Sequence, residues 1–186
     1  MRAIPTMGIT PMAVGGESLP RELPNSGLWF LLHTKSRQEK ILADELHRIG
    51  IPNYLPVSRQ LRQYGNRRIR IELPLFPGYL FVRGTVEDAY QSNRTHRVAR
   101  IIPVTDQPRL DWELRNLFLA CRNDPAVQPY PYLQKGVRVL VCSGPFRGVE
   151  GFVEDRTTPR RLILQVQTLG RAVSIEVDGD VLQAVG

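Results

Sequence analysis

Cysteine is close to absent. Cys121 and Cys142 are the only two in 186 residues, too few for a disulfide framework and too far apart for a paired-thiol zinc site. A reducing cytoplasm is the expected setting. Long apolar runs are missing as well: no stretch of about 18 apolar residues could form a membrane-spanning helix. The first residues lack the basic start and continuous apolar core of a secretory signal. Catalytic signatures are also missing. His33, His47 and His96 have no metal-ligand spacing, and there is no nucleophile elbow, phosphate-cradling glycine loop or paired-Cys motif. The expectation is a protein that is not an enzyme and uses no metal or cofactor.

Excess acid is lacking too. Lys and Arg number 25 against 18 Asp and Glu, a formal charge of +7, which favours an anionic partner such as nucleic acid. The excess is unevenly placed. Residues 27–130 carry 16 basic against 10 acidic side chains, and residues 131–186 carry seven against six. Residues 1–26 are neutral, hold Pro5, Pro11, Pro20 and Pro24, and show no apolar period. They are expected to be a disordered tail. Residues 124–134 hold Pro125, Pro129 and Pro131, which cannot continue a helix and favour an extended linker. The expected division is a first domain over 27–123, this linker, and a second domain over 135–186.

The first domain alternates strands and helices. Leu28–Leu32 suits a buried strand. Ser36 and Glu39 have capping-box spacing, and Leu42, Leu46 and Ile49 recur on one helical face before Gly50 and Pro52. Lys35, Arg37, Lys40 and Arg48 take other positions, as a solvated face or as a surface turned to phosphates. Gly65-Asn66 marks a hairpin turn. Arg59, Arg62, Arg67, Arg68 and Arg70 crowd around it with no acid among them. So basic a hairpin projects, either to contact phosphates or simply to solubilise. In Leu73–Val82, Pro74, Pro77 and Gly78 hold Phe76 and Tyr79 near a strand edge, as binding anchors or as core. A short helix over 85–93, a strand over 98–104 and a helix over 109–122 complete an α+β domain with helices on an antiparallel sheet, related to ferredoxin-like folds. Leu110, Leu114, Leu117, Phe118 and Cys121 form the buried face of the last helix.

The second domain offers five short strand candidates in about 50 residues, the size of an SH3-like β barrel. Val137, Val139 and Val141 alternate with Arg138, Leu140 and Cys142, the period of a strand, and a glycine-rich loop follows.

These residues resemble a known family. Lys135–Gly151, with Gly144, Phe146, Gly148 and Gly151, is similar to a KOW motif, which ribosomal proteins also carry. Trp29–Lys35 together with Leu75-Phe76-Pro77-Gly78-Tyr79-Leu80-Phe81-Val82 resembles the NusG N-terminal domain. The resemblance spans about residues 28–185 and implies a bacterial transcription elongation factor. In that family the first domain binds the clamp helices of the RNA polymerase β′ subunit, bridges to β, and can touch the non-template DNA strand. The KOW domain recruits Rho or a small-subunit ribosomal protein. Carried over by position, His33, Phe76, Pro77 and Tyr79 would bind polymerase, and Lys35, Arg37 and Arg48 would lie toward DNA. Arg67 and Arg68 on the hairpin join the nucleic-acid candidates. Leu169 and Arg171, in Thr168-Leu169-Gly170-Arg171, would contact the KOW partner. Housekeeping members carry Phe where this chain has Leu169, so the pattern looks closer to specialised antiterminators of the RfaH, LoaP and UpxY type. The His-Thr-Thr element by which RfaH meets the polymerase β subunit is not visible; Asp88-Ala89-Tyr90 stands near that place. The β-branched residues of the second domain favour a barrel over a helical hairpin. The implied protein is a cytoplasmic monomer with no membrane association. A housekeeping factor acting with Rho, or a KOW-containing RNA-binding or ribosomal protein, are the alternatives.

Overall fold

The computed structural model describes residues 23–123, 127–130, 136–153 and 161–185. Nearly all of the expected tail lies outside them, as does Lys135 at the start of the KOW motif. Of the tail, Leu23–Ser26 is described, and it is tied down. Arg83 donates to the carbonyls of Pro24 at 2.8 Å and Gly27 at 3.2 Å while also pairing with Asp111.

The first sheet is built from β1 (Leu28–Thr34), β2 (Asn53–Tyr54), β5 (Tyr79–Gly84) and β6 (Val98–Pro103), in the order β2-β5-β1-β6 with antiparallel neighbours. That is the ferredoxin-like arrangement, interrupted by a hairpin of β3 (Val57–Tyr64) and β4 (Arg67–Pro74) that pairs only with itself. The run at 28–32 is apolar at consecutive positions because β1 is central and covered on both faces. Trp29 and Leu31 face helix α3 (Gln107–Asn123), with Tyr54, Phe81 and Phe118. Leu32 faces the other way, toward Leu42 and Leu46 of helix α1 (Glu39–Arg48), with Leu80 and Val82. Leu42 and Leu46 are completely buried, worth about 1.5–3 kcal/mol each. Helix α2 (Val86–Ser92) carries a Thr85–Asp88 capping box.

The capping box expected for α1 does not form. Gln38 occupies the N-cap without a side-chain bond. Glu39 is buried, and its carboxylate accepts from the Gly78 N–H at 2.6 Å. A backbone donor in the β4–β5 turn outcompetes the helix's own free amide. Ile49 also departs from expectation: it is half exposed past the end of α1.

The second sheet contains β7 (Gln128–Tyr130), β8 (Val137–Val141), β9 (Glu150–Val153), β10 (Arg161–Val166), β11 (Arg171–Glu176) and β12 (Leu182–Ala184), ordered β12-β8-β9-β10-β11-β7. The five strands after residue 136 follow the SH3-like barrel order. Strand β7 lies inside the stretch expected to be linker, where it pairs with β11 from Ala172↔Tyr130 to Ser174↔Gln128, next to fully buried Val127. Pro129 is tolerated there because β7 is an edge strand. Gly151 has a steric reason: a Cβ there would stand 2.7 Å from the Ile163 carbonyl oxygen.

Candidate partner-binding site at the domain junction

The bend at Pro77-Gly78 positions the first group of candidates. Gly78 has φ of +87° and sits against the His33 ring, with its carbonyl accepting from the Thr34 N–H at 2.8 Å. The turn therefore clamps the end of β1 beside the start of β5. His33 and Tyr79 are brought together, ring centroids 5.1 Å apart, with His33 and Pro77 exposed and Tyr79 half-buried. Phe76 is different. It is 2% exposed and packs edge-on against Phe81 at 6.4 Å. Its ring fills core here and holds the turn from beneath.

Tyr79 also meets the second domain. The Arg171 guanidinium lies over its ring at 5.4 Å, and Leu169 packs against the apolar cluster that runs through both domains. So the two regions assigned to different partners touch each other. The rest of the junction is carried by α3. Asn116, 6% exposed, accepts the Glu150 N–H at 2.7 Å and donates to the Trp112 carbonyl at 2.9 Å. Glu113, 3% exposed, accepts Arg109 Nε at 3.1 Å and the Gln167 N–H at 3.1 Å. Arg138 covers the Trp112 ring at 4.8 Å and pairs with Glu150. Two buried polar side chains on α3 thus hold two backbone amides of the barrel.

Neither Glu113 nor Asn116 was singled out from the sequence. The signal was present: 113 and 116 fall beside Leu110, Leu114 and Leu117 on the buried stripe, where a polar residue needs a partner.

Burial pushes the Glu113 carboxyl above its ordinary value, against the pull of Arg109 and the Gln167 amide. A carboxyl that binds its proton more tightly when docked favours docking at acid pH. That contribution is lost as pH rises through the raised value. Docking is therefore expected to tighten as pH falls from neutral toward the ordinary value of 4.5, and Glu113→Gln should flatten that dependence. Amide exchange at Gln167 across the pH range checks both; an unchanged slope in the variant would count against Glu113 as its source.

The nucleic-acid candidates do not form one cluster. Lys35 and Arg37 are exposed in the turn before α1, Arg48 is exposed at its far end, and Arg67 and Arg68 are exposed on the hairpin. In the KOW loop, Phe146 is buried between exposed Gly144 and Gly148, and the Gly148 N–H donates to the Val141 carbonyl at 2.9 Å. Beside it a groove of about 720 Å³ is lined by Phe146, Arg161, Glu176, Asp178 and Val181. It lies at the opposite end of β10 and β11 from Gln167 and Arg171, so docking leaves it open. Among the described residues, no His, Cys, Asp and Glu group could hold a metal ion, and no helix is long and apolar enough to cross a membrane.

The family model described as "Transcription termination factor nusG" matches residues 27–110, the sheet and the His33–Tyr79 bend together. The transcription termination/antitermination protein NusG of Thermus thermophilus is 26% identical over 178 residues, covering 81% of this chain and 94% of that one. Over its first domain the chain matches the NusG family, and over most of its length it is similar to NusG proteins. NusG of Deinococcus radiodurans is 25% identical over 180 residues, covering 81% and 95%. NusG of Rickettsia typhi is 26% identical over 179 residues, covering 86% and 91%. A solved structure described as "Domain interaction in Thermotoga maritima NusG" is similar at 18% identity, with a TM-score of 0.42, covering 86% of this chain and 97% of that one. The family match ends at Leu110, early in α3. Glu113, Asn116 and the whole barrel lie beyond it.

Proposed function

We propose that this NusG-family protein is a non-enzymatic transcription termination or antitermination factor that binds RNA polymerase through the His33–Tyr79 bend. The family match over residues 27–110, which contains that bend, carries the reading. Its finer form is that exposed His33 and Pro77 with Tyr79 meet the clamp helices of β′, with Phe76 shaping the turn from below. Binding there biases a two-state clamp toward closure, reducing pausing and termination. The barrel recruits Rho or a small-subunit ribosomal protein through Leu169 and Arg171. Arg171 over Tyr79 and Leu169 in the shared cluster support a closed resting form. In that form polymerase and the barrel's partner each compete with docking.

Leu169 offers less aromatic surface than Phe, which supports the specialised antiterminator over the housekeeping role. Single-round transcription by bacterial polymerase through a Rho-dependent terminator tests this. Readthrough with fewer pauses is the expected result, earlier termination would indicate the housekeeping role, and no effect would count against direct action on polymerase. Tyr79→Ala is expected to weaken binding to polymerase by about 1–3 kcal/mol as the loss of an interfacial anchor. A titration of labelled polymerase checks it, and unchanged affinity in a folded variant would remove Tyr79 from the interface.

A further inference from the structure

Strand β7 lies between the two domains in the chain but within the barrel in space. It pairs with β11 through Ala172↔Tyr130, Val173↔Pro129 and Ser174↔Gln128, and among the described residues it pairs with no strand of the first sheet. The Arg161 guanidinium of β10 lies over the Tyr130 ring at 5.9 Å. Val127, just before β7, is 1% exposed within the apolar cluster that both domains share. Helix α3 ends at Asn123. Five peptide links therefore separate the end of the first domain from the first residue fixed in the second sheet, whereas fourteen separate Asn123 from Val137 at the start of β8. Fully extended, five links reach about 17–18 Å and fourteen reach about 46–50 Å.

We infer that β7 is a clasp that shortens the tether: by pairing with β11 it assigns most of the linker to the barrel, so that the domains part and meet across residues 124–127 alone. The inference goes beyond the proposed function and holds whichever partners the two domains bind. A short connection keeps an undocked barrel at high effective concentration beside α3, which favours its return to Glu113 and Asn116. A macromolecule seated on Leu169 and Arg171 must then work within about 18 Å of the end of α3. Reaching farther takes a second step, in which β7 leaves β11. The pairing is suited to release. It spans three of the six residues of β11, and Pro129 has no N–H to give to the ladder. One strand pairing thus sets a short and a long range for the barrel.

The position of an insert tests the inference. A 12-residue Gly-Ser segment is placed in the full chain either between Asn123 and Asp124 or between Leu133 and Gln134. Hydrogen exchange at the Glu150 and Gln167 amides, which Asn116 and Glu113 hold across the junction, reports parting of the domains. Exchange at the Cys142 amide, bonded within the barrel to the Val181 carbonyl at 2.8 Å, reports the barrel's own integrity. The ratio of junction to Cys142 exchange is compared, so a loss of barrel stability does not pass for parting. Effective concentration falls roughly as the −3/2 power of tether length, so the first insert is expected to raise this ratio about sixfold. The second insert only enlarges a loop inside the barrel, and a change of less than about 1.5-fold is expected. Equal rises from both inserts, which a fourteen-link tether puts at about 2.5-fold, would overturn the inference. So would a first insert that leaves the ratio unchanged, or junction amides that are unprotected in the unaltered chain.

Discussion

Replacing Asn116 and Glu113 together by alanine is expected to part the two domains while leaving each folded. The two substitutions do not contribute equally. Asn116→Ala leaves the Glu150 N–H without its acceptor, and a buried donor left unpaired costs about 1–3 kcal/mol. Glu113→Ala likewise frees the Gln167 N–H, but it also removes a carboxyl whose burial opposes ionisation. Its net effect is the smaller. A shift of roughly 2 kcal/mol is about thirtyfold in the docking equilibrium. The observable is faster amide exchange at Glu150 and Gln167, with a larger radius by small-angle scattering. Opening should also raise apparent affinity for a partner at Leu169 and Arg171, because only the competent fraction binds. If protection at both amides survives, the apolar cluster alone holds the domains together.

The second large effect is expected at Trp29. Its ring is 1% exposed, its Nε1 donates to Asp111 at 3.0 Å, and Arg83 lies 5.0 Å from its centroid. Burial works against the Asp111 carboxylate, but Arg115, Trp29 and Arg83 together hold its pKa below the ordinary value. Trp29→Ala removes the aromatic volume and one donor to this carboxylate, for a loss of about 3–5 kcal/mol, which is much of a small domain's stability. Trp29→Phe keeps most of the packing and loses the hydrogen bond, and about 1–2 kcal/mol is expected. Denaturant titration of the two variants separates packing from polar support. Equal losses would mean that the Asp111 contact, and not the ring, dominates.

Some of this architecture is legible residue by residue. The run at 28–32 reads as a buried strand, and a strand covered on both faces can be apolar at every position. Leu42 and Leu46 find the buried face of α1, and Leu110, Leu114, Leu117, Phe118 and Cys121 that of α3. Gly65-Asn66 forms the two-residue turn of the hairpin, closed by Tyr64↔Arg67. The NusG resemblance rests on chain-local strings, Trp29–Lys35 and Leu75–Val82, and it needs no tertiary information.

Long-range competition was not legible. Glu39 has the spacing to cap α1, yet Gly78, distant in sequence, offers it a better-placed donor. Gln128–Tyr130 has the composition of a tether, yet the exposed edge of β11 pairs with it. Phe76 occupies the position of a surface anchor, yet the bend turns it onto Phe81.

By itself, then, the sequence determined the element order of the first domain, the two buried helix faces, the placement of positive charge in the first domain and the resemblance to the NusG family. Each follows from local periodicity or from a contiguous string. Only the tertiary structure decided that the domains dock through α3, that Tyr79 lies under Arg171, and that Glu113 and Asn116 hold barrel amides. A buried polar group is stable only with a partner, and which partner reaches it is settled by where the chain brings distant backbone donors.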